Sequence, residues 1–359
     1  MSGVPIEKII KAAVDRGASD LHIKAGDVFR ARIGGKLVPL TKQRLTPDQT
    51  RAIAEKLISN ETDRSRLDLI TDYDCSWGLP GVGRFRVNLL RQRSSLMIVM
   101  RVVPFTIPTL DQLGVPSAIQ GLADTRSGLV LVTGVGGSGK SSTIAALLHQ
   151  MNQHQQRHII TIEDPIEFLH RDLSCSVTQR EVGVDTESLG VGIKAALRQD
   201  PDVIVVGDIH DIQTLATAIK AAETGRLVLG AMPTPDVLTT IGQVIAMLPY
   251  EEREIGLVRF SEAITAIVSQ RLLPRKDGSG RVLAAEILIA TSPIRDAIKD
   301  PARIMEVRTL MSRGYGKSGM QTFRQHLAEL VKSGEVSAQT ASVLNASDPE
   351  ASVLQKAKR

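Results

Sequence analysis

The run Gly134-Val135-Gly136-Gly137-Ser138-Gly139-Lys140-Ser141 restricts the possible folds of this chain more than any other stretch. It fills the spacing G-x-x-x-x-G-K-[ST], which works only where a buried strand turns into the N-terminus of a helix. Both flanks comply. Residues 129–133 are an apolar run closed by a threonine, as a strand buried on both faces requires. Residues 142–151 have helical composition. Glycines at such a turn let backbone N–H groups converge on phosphate oxygens without Cβ clashes. Lys140 then neutralises the terminal phosphates, and the Ser141 hydroxyl is placed for Mg2+. The candidate nucleotide-binding set is Gly134, Gly136, Gly137, Ser138, Gly139, Lys140, Ser141 and Ser142.

A chain of 359 residues has room for two or three domains. The first hundred residues read as a small α+β module. A helix with Ile6, Ile9, Ile10, Ala13 and Val14 on one face precedes short strands near 21–23 and 29–40, the latter folded about Gly34-Gly35. A helix over 47–59 and strands over 73–77, 83–90 and 96–103 follow. Residues 104–116, broken by Pro104, Pro108 and Pro116, read as a linker plus an entry helix. From residue 117 to 290 strands at 129–133, 159–162, 203–206, 227–230 and 283–288 alternate with helices, including one over 214–224. That alternation predicts a parallel sheet covered on both faces. Residues 291–359 read as a helical C-terminal region whose polar tail, from Asn345 onward, frays.

Composition narrows the function. Aromatic residues make up 3% of the chain, too few for a platform that stacks single-stranded nucleic acid. The net charge of +5 is spread along the sequence rather than clustered, so no nucleic-acid partner is expected. Cys75 and Cys175 are the only cysteines and lie far apart, which argues against a zinc site or a disulfide framework. No apolar stretch approaches the roughly 20 residues that span a bilayer. These features together predict a cytoplasmic protein without direct membrane insertion.

Hydrolysis of a bound nucleotide needs carboxylates beside the phosphate loop, to hold the metal's water and to activate the attacking one. In open α/β sheets such groups sit at the C-terminal ends of strands. Asp208 follows the apolar run Val203-Ile204-Val205-Val206-Gly207 and reads as a metal-side carboxylate. Glu163 ends another predicted strand, where Asp164 and Glu167 compete with it for the catalytic role.

Several ordered stretches resemble the secretion ATPase superfamily, the motors of type IV pili and type II secretion. The phosphate loop, Thr161-Ile162-Glu163-Asp164-Pro165-Ile166-Glu167-Phe168 and Leu197-Arg198-Gln199-Asp200-Pro201-Asp202 carry the resemblance. Ala18-Ser19-Asp20-Leu21-His22, Arg84-Phe85-Arg86-Val87-Asn88, Ala221-Ala222-Glu223-Thr224-Gly225 and Ser269-Gln270-Arg271-Leu272-Leu273 extend it over about 300 residues. The short N-terminal region and the lack of a cysteine cluster are similar to the pilus retraction branch, which powers twitching motility. The resemblance implies a PAS-like N-terminal domain (1–103), a RecA-like P-loop ATPase domain (117–290) and a ring-shaped homo-hexamer using ATP and Mg2+. It implies Glu163 as catalytic base, Asp208 as the metal-side acid, and Arg86, Arg101 and Arg198 near the phosphates. It also implies an inner-membrane pilus platform protein as partner, which would make the motor peripheral to that membrane.

The chain departs from the family pattern in four places. Gly207-Asp208 stands where the family has Gly-Glu, which draws the carboxylate back by about 1.5 Å. His210 replaces an arginine. Arg226 and Pro233 replace two histidines after Glu-Thr-Gly, and Gln243 replaces a further arginine. Histidine and arginine beside a γ-phosphate stabilise transition-state charge; Pro233 and Gln243 do not. The expectation is intact ATP binding with slow or altered hydrolysis. The alternative is a catalytically weak regulatory subunit of an active paralogous motor.

Overall fold

The computed structural model describes residues 6–103, 106–316 and 318–346. Pro104 at the start of the expected linker, and all of the expected frayed tail beyond residue 346, lie outside the described residues. The chain forms two compact units, residues 1–106 with 167–169, and residues 107–166 with 170–359.

The first unit is a six-stranded antiparallel sheet. Its strands are β1 (Ala18–Lys24), β2 (Arg30–Ile33), β3 (Lys36–Pro39), β4 (Asp72–Leu79), β5 (Gly83–Gln92) and β6 (Ser95–Val102). They lie in the order β3-β2-β1-β6-β5-β4. Alternation along β5 sends Phe85, Val87 and Leu89 into the core and Arg84, Arg86 and Asn88 to the other face. The helices Ile6–Asp15 and Pro47–Leu57 cover the apolar face with Ile6, Ile10, Ile53 and Leu57. The second of these helices starts where its sequence dictates. Thr46 accepts from the Gln49 N–H, Gln49 reaches back to the Thr46 N–H, and Pro47 occupies the first turn.

The second unit is built on seven strands: β7 (Gly128–Thr133), β8 (His158–Glu163), β9 (Ser176–Glu181), β10 (Val203–Val206), β11 (Leu227–Met232), β12 (Ile264–Pro274) and β13 (Arg281–Ile289). The order is β13-β12-β7-β11-β10-β8-β9. All neighbours are parallel except the β12–β13 hairpin. The continuous apolar runs follow from burial on both faces. Leu129 and Leu131 face the helices Ile212–Glu223 and Val237–Met247, while Val130 and Val132 face the helix Lys140–His154. Two strands were not expected: the polar edge strand β9, and β12, which seats Ser269 and Gln270 beside the end of β7.

Residues 107–116, read from sequence as linker and entry helix, contain a capped helical turn, Leu110–Leu113, and bury Leu110 and Val115 in the second unit. The C-terminal helices Ser292–Lys299 and Glu306–Arg313 bury Ile294, Ile298, Val307 and Met311 in the same body. Phe323 and Leu327 of the helix Phe323–Lys332 cover Leu273 and Ala284 of the β12–β13 hairpin.

Candidate active site at the C-terminal edge of the parallel sheet

Parallel strands present all their C-terminal ends at one edge, and that edge gathers the predicted chemistry. The phosphate loop leaves β7 at Gly134, whose φ of 149° belongs to glycine. A Cβ there would lie 2.6 Å from the Gln270 carbonyl oxygen and would also collide with Ser138 Oγ. Gly139 (φ 95°) turns the chain into the helix Lys140–His154 with no side chain capping it. The first N–H groups of that helix therefore point into the loop, an arrangement made for an anion. Lys140 Nζ donates to the carbonyl oxygens of Gly134 (2.7 Å) and Val135 (3.3 Å), which arches the loop around its own ammonium. Ser138 is buried, and its hydroxyl has no hydrogen-bond partner.

Behind the loop lies a set of buried hydroxyls that sequence reading did not single out. Thr133 Oγ1 and Ser269 Oγ are 2.7 Å apart, and Thr240 Oγ1 donates to Thr133 at 3.4 Å. Gln270 Nε2 donates to Thr143 Oγ1 at 2.7 Å, tying β12 to the loop's helix. Ser269 and Gln270 belonged to a recognised motif, but only the pairing of β12 with β7 reveals what they touch.

Asp208 emerges from β10 two strands from β7. Burial, opposed by His210 and Lys140, holds its carboxyl above the ordinary carboxylate range. His210 Nδ1 lies 3.9 Å from Asp208 Oδ2, and the buried Asp208 Oδ1 has no partner. Glu163 ends β8, the next strand over. Its Oε1 accepts from Thr161 Oγ1 (2.6 Å) and Gln179 Nε2 (3.1 Å). Gly207 keeps the two carboxylate-bearing turns together, since a Cβ on it would stand 3.0 Å from the Glu163 Cα.

These groups fit Mg2+ in the manner of P-loop sites, where one hydroxyl, the phosphates and water supply most ligands. Among the described residues no cluster of three His, Cys, Asp or Glu side chains forms a metal cage. The hydroxyl of Ser141 and the orphaned Asp208 Oδ1 are the donors such an ion would use.

Other predicted residues fall elsewhere. Arg198 follows the helix Leu189–Ala196 and leads into β10, so it lies at the opposite edge of the sheet from this chain's own loop, its guanidinium on the Lys194 carbonyl. Arg226 opens β11 at that same far edge, bonded to Thr224, about 20 Å of strand from the loop. It is not part of the loop's surroundings, contrary to the expectation drawn from its motif. Pro233 does follow β11 at the loop edge, and Gln243 is exposed on the helix Val237–Met247. Arg86 and Arg101 belong to the first unit, side by side on the polar face of its sheet.

The profile of the family described as type II/IV secretion system protein matches residues 4–343. The chain belongs to that family. The type IV pilus retraction ATPase PilT of Pseudomonas aeruginosa is 38% identical over 94% of this chain and 96% of its own length. The type IV pilus ATPase PilU of the same organism is 37% identical over 92% of this chain and 86% of its own. A crystal structure of the pilus retraction motor PilT with bound ADP superposes with a TM-score of 0.85 at 41% identity, covering 97% of this chain and 98% of that one. The fold is thus the expected one, an α+β N-terminal unit followed by a RecA-like P-loop domain. With its phosphate loop and two strand-end carboxylates, the chain carries the equipment of an ATP hydrolase.

Proposed function

We propose that the protein is a Mg-ATP-driven motor of a type IV pilus, assembled as a homo-hexamer and working in filament retraction at an inner-membrane platform protein. The observation that carries this reading is the gathering of the Lys140 loop, Asp208 and Glu163 at one edge of the sheet, where Gly207, next to Asp208, packs against the Glu163 backbone. PilT and PilU, as pilus ATPases with this architecture, supply the biological setting. Among the described residues no helix is long and apolar enough to cross a membrane, so attachment to the pilus base would come through a partner.

In this reading Lys140 and the N–H groups of the loop hold the phosphates, while Ser141 and Asp208 would hold Mg2+, which would supply charge to neutralise them. Glu163 takes a proton from the attacking water. Arg86 and Arg101 contribute positive charge to the phosphates, and Arg198 contributes to a nucleotide held by another copy. Pro233, Gln243 and the shortened Asp208 remove charge or reach near the phosphates, so turnover is slow or altered in its coupling between subunits. A second reading rests on the same substitutions: a nucleotide-binding subunit that tunes an active paralogous motor.

Steady-state phosphate release with Mg-ATP tests both. A motor releases phosphate, and Lys140→Ala and Glu163→Gln each reduce the rate at least about 100-fold. ADP and ATP binding without any release overturns the motor and leaves the regulatory subunit. Sedimentation of the nucleotide-loaded protein as a hexamer supports the ring; a nucleotide-loaded monomer argues against it.

A further inference from the structure

Parallel pairing of β8 with β9 sets Thr161 directly beside Gln179, and Glu163 lies two residues beyond Thr161 on the same face. Three side chains therefore meet at one point of the sheet. Both neighbours donate to the same carboxylate oxygen, Thr161 Oγ1 at 2.6 Å and Gln179 Nε2 at 3.1 Å. The amide cannot be turned the other way. Gln179 Oε1 accepts the His170 N–H at 2.8 Å, and a backbone N–H can only donate, so the NH2 group must face Glu163.

We propose that Gln179 is a positioning residue for ATP hydrolysis: anchored on the His170 backbone, it fixes the Glu163 carboxylate in one rotamer with Thr161. This rests on the reading of Glu163 as the base. A glutamate has three torsions, and an unheld carboxylate samples many orientations that present no oxygen to the attacking water. Two donors on Oε1 select one of them. Gln179 does this from an edge strand, where a polar side chain is otherwise free to vary without disturbing a core.

The test uses Gln179→Leu, which keeps the volume and removes the bonds to Glu163 and His170, beside Thr161→Val. The expected result is a kcat lowered about 10- to 100-fold by Gln179→Leu, with KM for ATP and ADP affinity within about twofold of wild type. In a Glu163→Gln background the Gln179→Leu change costs nothing further, because the residue acts only through that carboxylate. An unchanged kcat overturns the proposal, as does an equal further loss in the Glu163→Gln background, which marks a merely structural role. If Gln179→Leu does not fold, Thr161→Val decides by the same readouts. A wild type that binds nucleotide but releases no phosphate overturns the reading of Glu163 and this proposal together. A wild type that turns over, with Glu163→Gln inactive and Gln179→Leu indifferent, overturns this proposal alone.

Discussion

Arg86 on β5 and Arg101 on β6 are direct cross-strand partners on the open face of the N-terminal sheet, two like charges facing each other. Asp20 on β1 accepts from Arg101 at 2.9 Å and from Ser19 Oγ at 2.8 Å, with the Arg32 guanidinium 3.9 Å away. Burial works to raise the Asp20 carboxyl, yet the bonds from Arg101 and Ser19 prevail and hold it below its ordinary range. The row Arg32, Asp20, Arg101, Arg86 thus keeps two uncompensated positive charges. Like charges directly opposite weaken a sheet by roughly 0.2–1 kcal/mol. Arg86→Gln is therefore expected to raise the melting temperature of the nucleotide-free protein slightly while lowering phosphate release. A variant that loses stability and keeps its rate would show that Arg86 serves the sheet.

Asp208 sets a similar opposition between stability and chemistry. Its carboxyl titrates above the unfolded value because burial disfavours the charge. Above the unfolded pKa the folded state therefore holds its proton longer than the unfolded chain does. Stability falls as pH rises through that window, and the cost persists at neutral pH. Asp208→Asn removes it. Thermal melts at pH 7 in EDTA should show a more stable protein, by no more than about 1 kcal/mol because half the side chain meets solvent. Wild type and variant should converge below pH 4, and hydrolysis should be lost. A destabilised Asp208→Asn at pH 7 would contradict the argument.

The loop's glycines are not equivalent. Gly134→Ala places a Cβ against the Gln270 carbonyl oxygen at a backbone angle alanine avoids, strain on the order of 1–3 kcal/mol. Gly136 has open space for a methyl group. Titration with a fluorescent ADP analogue should show affinity lowered at least about 10-fold for Gly134→Ala, with a melting temperature several degrees lower. Gly136→Ala should melt with the wild type. Equal behaviour of the two variants would mean that the close approach to β12 is unimportant.

The parts of this molecule legible in its sequence were those written in uninterrupted local patterns. β7 and β10 are short apolar runs closed by turn residues, and the loop's glycines announce its shape. The places of the three competing acids were not legible: Glu163 ends β8, Asp164 is exposed, and Glu167 groups with the N-terminal unit. β9 escaped because Ser176–Glu181 is a polar edge strand with no apolar period, and Gln179 escaped with it. β12 escaped because Ser269 and Gln270 interrupt its apolar run. Both are fully buried, and their polar atoms reach Thr133 and Thr143, which lie more than a hundred residues away in sequence. Arg226 shows the converse limit. A linear motif places a residue next to a strand without saying which end of the strand meets the ligand.

His170 gives the protein an acid-sensitive point outside the carboxylates. Burial, aided by the nearby His149, holds its imidazole down at about 4, well below the ordinary value of 6.5. Its Nδ1 has no hydrogen-bond partner, while its backbone N–H is fixed on Gln179. As pH falls below 6.5 the unfolded chain takes up a proton that the folded state refuses until about pH 4. More protons bound in the unfolded state means that stability drops across this interval and levels off below it. His326, lowered by its own burial, adds to the same slope. Urea midpoints measured from pH 7.5 to 4.5 should therefore fall, and His170→Gln should flatten part of the fall while leaving the midpoint at pH 7.5 near that of the wild type. Proton uptake on unfolding, read by calorimetry in buffers of different ionisation enthalpy, should be smaller for the variant at pH 5.5. An unaltered slope in His170→Gln would place the acid sensitivity in other groups and leave this imidazole titrating as it does in water.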